Sequence, residues 1–85
     1  MPAAKLIKDL NAGAGKFYLA EPIKSYDYVI VAPEPEVGYT TIYPTTHQGT
    51  AMDITDENNN PVVLKRFPQV LSSKEALHRL GYEVV

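Results

Sequence analysis

Six tyrosines and two histidines are the side chains here with the most to offer chemistry, since the sequence holds no cysteine and no tryptophan. Without cysteine there is no disulfide, no thiol nucleophile and no thiolate metal ligand. Neither His47 nor His78 has a serine or an acid at a spacing that suggests a triad, and two histidines alone make a poor zinc site. His47, in the run Thr45-Thr46-His47-Gln48, is the residue best placed for proton transfer. A general base also needs a pocket and an orienting partner, and the sequence announces neither.

Two stretches imitate cofactor sites and fail on inspection. Gly13-Ala14-Gly15-Lys16 has the flavour of a phosphate loop, but that loop needs an earlier glycine where Leu10 stands. It also needs a hydroxyl after the lysine, where Phe17 stands. Asp56, Asn58 and Asn60 align with the first ligands of a calcium loop, yet Pro61 then takes the glycine position. Phe67 takes the position of the bidentate acid. Both stretches read better as turns, and no metal or cofactor is expected.

The tyrosines remain. In an extended hairpin Tyr26, Tyr28, Tyr39 and Tyr43 share one face, beside Glu34 and Glu36 in an acidic loop. Such rings either pack with their hydroxyls at the rim or form a contact surface, for which tyrosine is favoured. These six residues are the candidate interaction surface. Nucleobase stacking is disfavoured, because the same segment carries no lysine or arginine to hold phosphates.

The elements that must position them follow from pattern. Tyr26 to Ala32 is dense in β-branched and aromatic residues and predicts a strand. Pro33 to Val37 is a stiff loop, and Gly38 to Tyr43 returns as a second strand, making a hairpin over residues 27–43. Lys16 to Ala20 predicts a short strand stopped by Pro22. Thr50 to Thr55 and Pro61 to Lys65 predict a second hairpin about the Asp56–Asn60 turn. Leu6, Ile7 and Leu10 have helical spacing and allow a short N-terminal helix over residues 3–10.

The last fifteen residues carry the plainest fold signal. Ser72 is a natural N-cap with Glu75 placed for a capping box, and Gly81 stands where a helix over residues 73–80 would end. Tyr82 to Val85 then alternates as a terminal strand. The expected architecture is α+β: an antiparallel sheet of four or five strands from two hairpins plus a C-terminal strand, with one helix packed on a face. The predicted core is Leu19, Val29, Val31, Ile42, Ile54, Val63, Leu64, Leu77, Leu80 and Val84.

At 85 residues the chain makes one domain, and 45% hydrophobic with 21% charged residues is an ordinary globular composition. No apolar run reaches membrane-spanning length, so no membrane partner is expected and the default address is the cytoplasm. A net charge of −2 argues against general nucleic-acid affinity. Charge is segregated: residues 25–60 contain six acids and no lysine or arginine. Solvated acidic loops explain this, and so does an acidic face that meets a basic partner.

These features predict a non-enzymatic interaction or assembly module. It would be a homo-oligomer or would bind another protein, through a sheet edge or the tyrosine-rich hairpin face. Association with small acidic α+β accessory proteins of phages and mobile elements is an analogy of class alone. The alternative is a small-ligand or oligosaccharide binder using the tyrosine face and the His47 loop.

Overall fold

The strongest strand signal lies near the centre of a six-stranded sheet in the computed structural model, which describes residues 1–49 and 53–85. The strands are β1 (Ala3–Asp9), β2 (Gly15–Ile23), β3 (Tyr26–Glu34), β4 (Tyr39–Pro44), β5 (Lys65–Phe67) and β6 (Glu83–Val84). One helix, α1 (Ser73–Arg79), precedes β6. The sheet order is β5-β4-β3-β2-β1-β6, and it curls into a half-barrel around the core. All neighbours are antiparallel except β1 and β6, which run parallel. The fold is α+β, with a larger and mixed sheet in place of four or five antiparallel strands.

The N-terminal helix does not form; residues 3–9 are the strand β1. A register shift between Leu6 and Lys8 explains why the pattern misleads. The bulge at Ile7 resets strand alternation, so apolar residues that would recur every second position fall at helix-like spacing. β2 also runs past Pro22 to Ile23, because its pairing with β3 slips between Tyr18 and Ile23. Proline is tolerated where a ladder is interrupted. Lys24 and Ser25 then close a two-residue hairpin with positive φ at both, the geometry that matches strand twist.

The β3–β4 hairpin forms as its sequence indicates, with Ile30 opposite Tyr43 and Glu34 opposite Tyr39. The second hairpin shrinks to one bridge, Thr55 with Pro61, around an Asp56 turn. Asp56 Oδ1 accepts from the amides of Asn58 and Asn60, so the side chain supplies the turn's own acceptor. Residues 50–52 of the expected strand lie outside the described residues. The strand that pairs with β4 comes later, as β5, after the Leu64 amide bonds to Ile42 O.

The C-terminal unit follows its residues closely. The Glu75 amide donates to Ser72 Oγ at the helix start. The Glu75 carboxylate meets Arg79 one turn on instead of closing a capping box. At the far end the Tyr82 amide donates to Leu77 O and the Gly81 amide to His78 O, the paired bonds of a Schellman reversal. Gly81 has φ near +94°, which a side chain would resist.

The core lies between α1 and one face of the sheet. Leu19, Val29, Val31, Ile42 and Leu77 are buried as expected, joined by Ala4, Phe17, Phe67, Leu71, Ala76 and Tyr82. Leu64, Leu80 and Val84 pack at its margin, while Ile54 is half-buried and Val63 is exposed. Thr40, fully buried on this face, accepts from the Leu71 amide and donates to Gln69 O, fixing the strap that leads into α1. No helix among the described residues is long and apolar enough to cross a membrane.

Tyr82 closes the core at its edge, its hydroxyl donating to Glu21 O. Burial, and then the nearby Glu21 carboxylate, hold the phenol above its ordinary value of 10.0. The unfolded phenol ionises first as pH rises. The stabilisation is therefore intact below about pH 10 and is lost as pH climbs through the higher folded value. Tyr82→Phe keeps the ring but removes both the bond and the ionisation. Urea unfolding should show a loss of about 1 kcal/mol at neutral pH and a flatter alkaline limb. An unchanged alkaline limb would place that dependence in another group.

Candidate functional site

Strand alternation gives the sheet a second face, opposite the core. Val29, Val31 and Ile42 point to the core, so Tyr28, Ile30 and Tyr43 stand on the other side. Register adds Lys16 and Tyr18 from β2, opposite Ile30 and Tyr28, and Arg66 from β5, opposite Thr41. Lys16, Ile30, Thr41 and Tyr43 are all buried here although α1 lies on the far side.

Lys16 organises this face. It is 2% exposed, and its ammonium donates to Thr46 O (2.8 Å), His47 O (2.7 Å) and Gly49 O (2.5 Å). A lysine ammonium has three donors, and the three carbonyls satisfy all of them. Its nitrogen also lies 5.2 Å from the Tyr28 ring centroid. The loop after β4 is tightened further by Asp53, which accepts from the Thr45 hydroxyl at 3.1 Å. A Cβ at position 49 would run into Asp53 Oδ2 and the Thr45 hydroxyl, so a larger residue there would have to displace those side chains.

This loop sets His47 against the sheet. The His47 ring lies 5.2 Å from Tyr28, and Tyr28 lies 5.3 Å from Tyr18, both pairs tilted. Tilted aromatic pairs at this spacing attract through ring edges and faces. Tyr18 and His47 are exposed and Tyr28 is half-buried, so the three make a strip open to solvent. Lys5 stands opposite Tyr18 on β1 and puts a cation at the strip's rim.

The other expected residues divide. Tyr39 and Glu34 fall in a second cluster, where Thr41 Oγ1 donates to Glu34 Oε2 (3.0 Å) and Arg66 Nε donates to Thr41 Oγ1 (3.1 Å). The Arg66 guanidinium lies 4.4 Å from the Tyr39 ring centroid, a cation–π arrangement. Tyr43 is buried and presents no ring surface, Tyr26 is half-buried across from Ile23, and Glu36 is exposed in the β3–β4 turn. Tyr18, Lys16 and Arg66 were not singled out as site residues from sequence. Alternation along Lys16-Phe17-Tyr18 was the available signal, but it needs the strand order to become a site.

Chemically the strip offers ring faces, a histidine and a rim cation. His47 and His78 sit on separate elements, and among the described residues no three of His, Cys, Asp and Glu group to hold a metal ion. Compared with protein-family models, curated proteins and solved structures, the chain finds no match in any of the three. The reading of this face therefore rests on its geometry.

Lys16→Met keeps the apolar length and deletes the charge, leaving three carbonyls without their donor. The chain should lose about 2 to 3 kcal/mol in urea unfolding. The Gly49 region should also gain amide exchange. A wild-type unfolding curve would mean that the loop is held by Asp53 and the rings alone.

Proposed function

We propose that this chain is a non-enzymatic interaction module, an assembly or accessory subunit that binds a second copy or another protein through its tyrosine-bearing sheet face. One observation supports this above others: Tyr18, Tyr28 and His47 form a continuous, solvent-open strip on a rigid sheet. Aromatic side chains of few rotamers are efficient contact residues, since little entropy is lost when a partner covers them.

Of the two routes to association, the face is favoured over the long edges. β5 has three residues, carries Lys65 and Arg66, and is followed by Pro68. The part of β1 beyond its pairing with β6 carries Lys5 and Lys8 and is bulged at Ile7. Short strands, lysines and bulges are the devices by which sheet edges are kept from pairing.

A second reading, small-ligand or oligosaccharide binding, draws on the same strip, since stacked rings also take apolar sugar faces. The two separate by experiment. In the assembly reading, sedimentation velocity should show association at high micromolar concentration, or a partner should be retained on immobilised protein. Tyr18→Ala with Tyr28→Ala should then weaken that association about tenfold or more while moving the urea midpoint little. Equal losses of association and folding would make the rings packing alone. A strict monomer without a partner, stabilised by an oligosaccharide in a thermal-shift screen, would favour the second reading.

A further inference from the structure

One row of residues crosses the aromatic face from β1 to the loop after β4. Lys5 on β1 stands opposite Tyr18 on β2, and Tyr18 stands opposite Tyr28 on β3. The Thr45 amide donates to Tyr28 O, which makes Thr45 the next member. Asp53 accepts from the Thr45 hydroxyl and ends the row. It therefore begins with a cation, passes over two rings and finishes at a carboxylate. At about 4.8 Å per strand the row spans roughly 15 Å.

The two ends keep opposite signs. On a regular strand, residues three apart point to opposite faces. The bulge at Ile7 changes this: Lys5 pairs with Tyr18 and Lys8 with Lys16, so both lysines stand on the aromatic face. Both are exposed, and neither enters an ion pair among the described residues. Glu83 lies beside them, opposite Ala3 on β6, so this end sets two cations against one acid. At the other end Asp53 is exposed, and the Thr45 bond fixes its carboxylate without cancelling its charge. Lys16 lies behind that loop, 2% exposed, with its ammonium closed in by three carbonyls.

This order of charge selects the occupant. An acidic segment suits Lys5 and Lys8 but is repelled at Asp53, and a basic segment meets the reverse. A second copy turned end for end carries both signs in the order required. A two-fold axis parallel to the strands, midway between Tyr18 and Tyr28, lays the row on its own reverse. Lys5 then faces the partner's Asp53, and Tyr18 faces the partner's Tyr28. Sheets stacked with their strands nearly aligned pack well in this way.

We infer that the aromatic face pairs with the same face of a second copy in this two-fold register, two Lys5–Asp53 ion pairs flanking four tyrosine rings. The inference rests on the reading of this face as a protein-binding surface, and it makes the chain its own partner. Exposed ion pairs add little affinity, whereas like charges set opposite one another are costly, so the pairs act by fixing the register.

The test is sedimentation velocity on the full chain up to about 1 mM, with two charge reversals. Lys5→Glu alone sets acid against acid at both ends, and Asp53→Lys alone sets base against base. Each should weaken self-association about tenfold or more. An equimolar mixture of the two variants restores both pairs and should form a heterodimer within about threefold of the wild-type affinity. A second measurement needs no change at Asp53. Salt at about 0.5 M should weaken wild-type association and strengthen that of Lys5→Glu, since it screens attraction in one and repulsion in the other. A mixture no tighter than either folded variant alone would overturn the pairing, as would a salt response of one sign in both proteins. A wild-type chain still monomeric at 1 mM would also overturn it. Another protein retained through Tyr18 and Tyr28 would in that case leave the broader assembly reading standing.

Discussion

The structure turns on one ammonium group. Lys16 lies in the middle of the sheet, opposite Ile30 on one neighbour and Lys8 on the other, and neither residue can neutralise it. A charge taken from water without hydrogen bonds costs far more than a small domain can bear. The chain meets this by bringing its own backbone to the lysine. Residues 46–49 fold back from the end of β4 and present three carbonyls to the three donors. Carbonyl dipoles solvate the ammonium without the exacting geometry of a buried ion pair, whose desolvation often cancels its attraction. The placement of His47 against Tyr28 follows from that fold-back.

A sheet in so short a chain must find cover for both faces, and one helix covers only one. Adjacent threonines at the sheet centre mark how the problem is divided. Thr40 points to the core and ties down the strap into α1, while Thr41 points the other way and links Glu34 to Arg66. Each is fully buried, and each uses its hydroxyl both to donate and to accept. A hydroxyl that joins backbone or charged groups across about thirty residues of chain, as Thr40 does with Leu71, positions long segments at little cost in volume. Tyr82 does the same at the margin, reaching from the C-terminus to Glu21 O.

What could be read in the sequence was what local chemistry decides. The Ser72 cap, the Gly81 stop and the Asp56 turn are each satisfied within a few residues, so their residue types announce them. The β3–β4 hairpin was legible for the same reason. β1 was not, because its bulge lies in pairing with β2, and the amphipathic pattern records the bulge as helical spacing. The site was half legible. Tyr28 and His47 could be named, but their meeting depends on Lys16 holding the loop. An isolated lysine beside glycines looks like any surface lysine until its partners thirty residues away are known. Of the two roles the sequence leaves open for the tyrosines, Tyr43 takes packing, since it is buried.

The acidic middle of the chain takes on a different meaning once its side chains are placed. Glu34 accepts from Thr41, Asp53 from Thr45, and Asp56 from the amides of its own turn. Three of the six acids of residues 25–60 are taken up by local order in this way, so only half of the segregated charge is left for a basic partner alone to match. What the described surface leaves open is of another kind: the ring faces at Tyr18 and His47. They are held by the sheet and by the loop that cages Lys16, and need no rearrangement to be used. Pre-formed surfaces of this sort lose little entropy on binding, which is the advantage a small rigid module has over a flexible one of equal contact area.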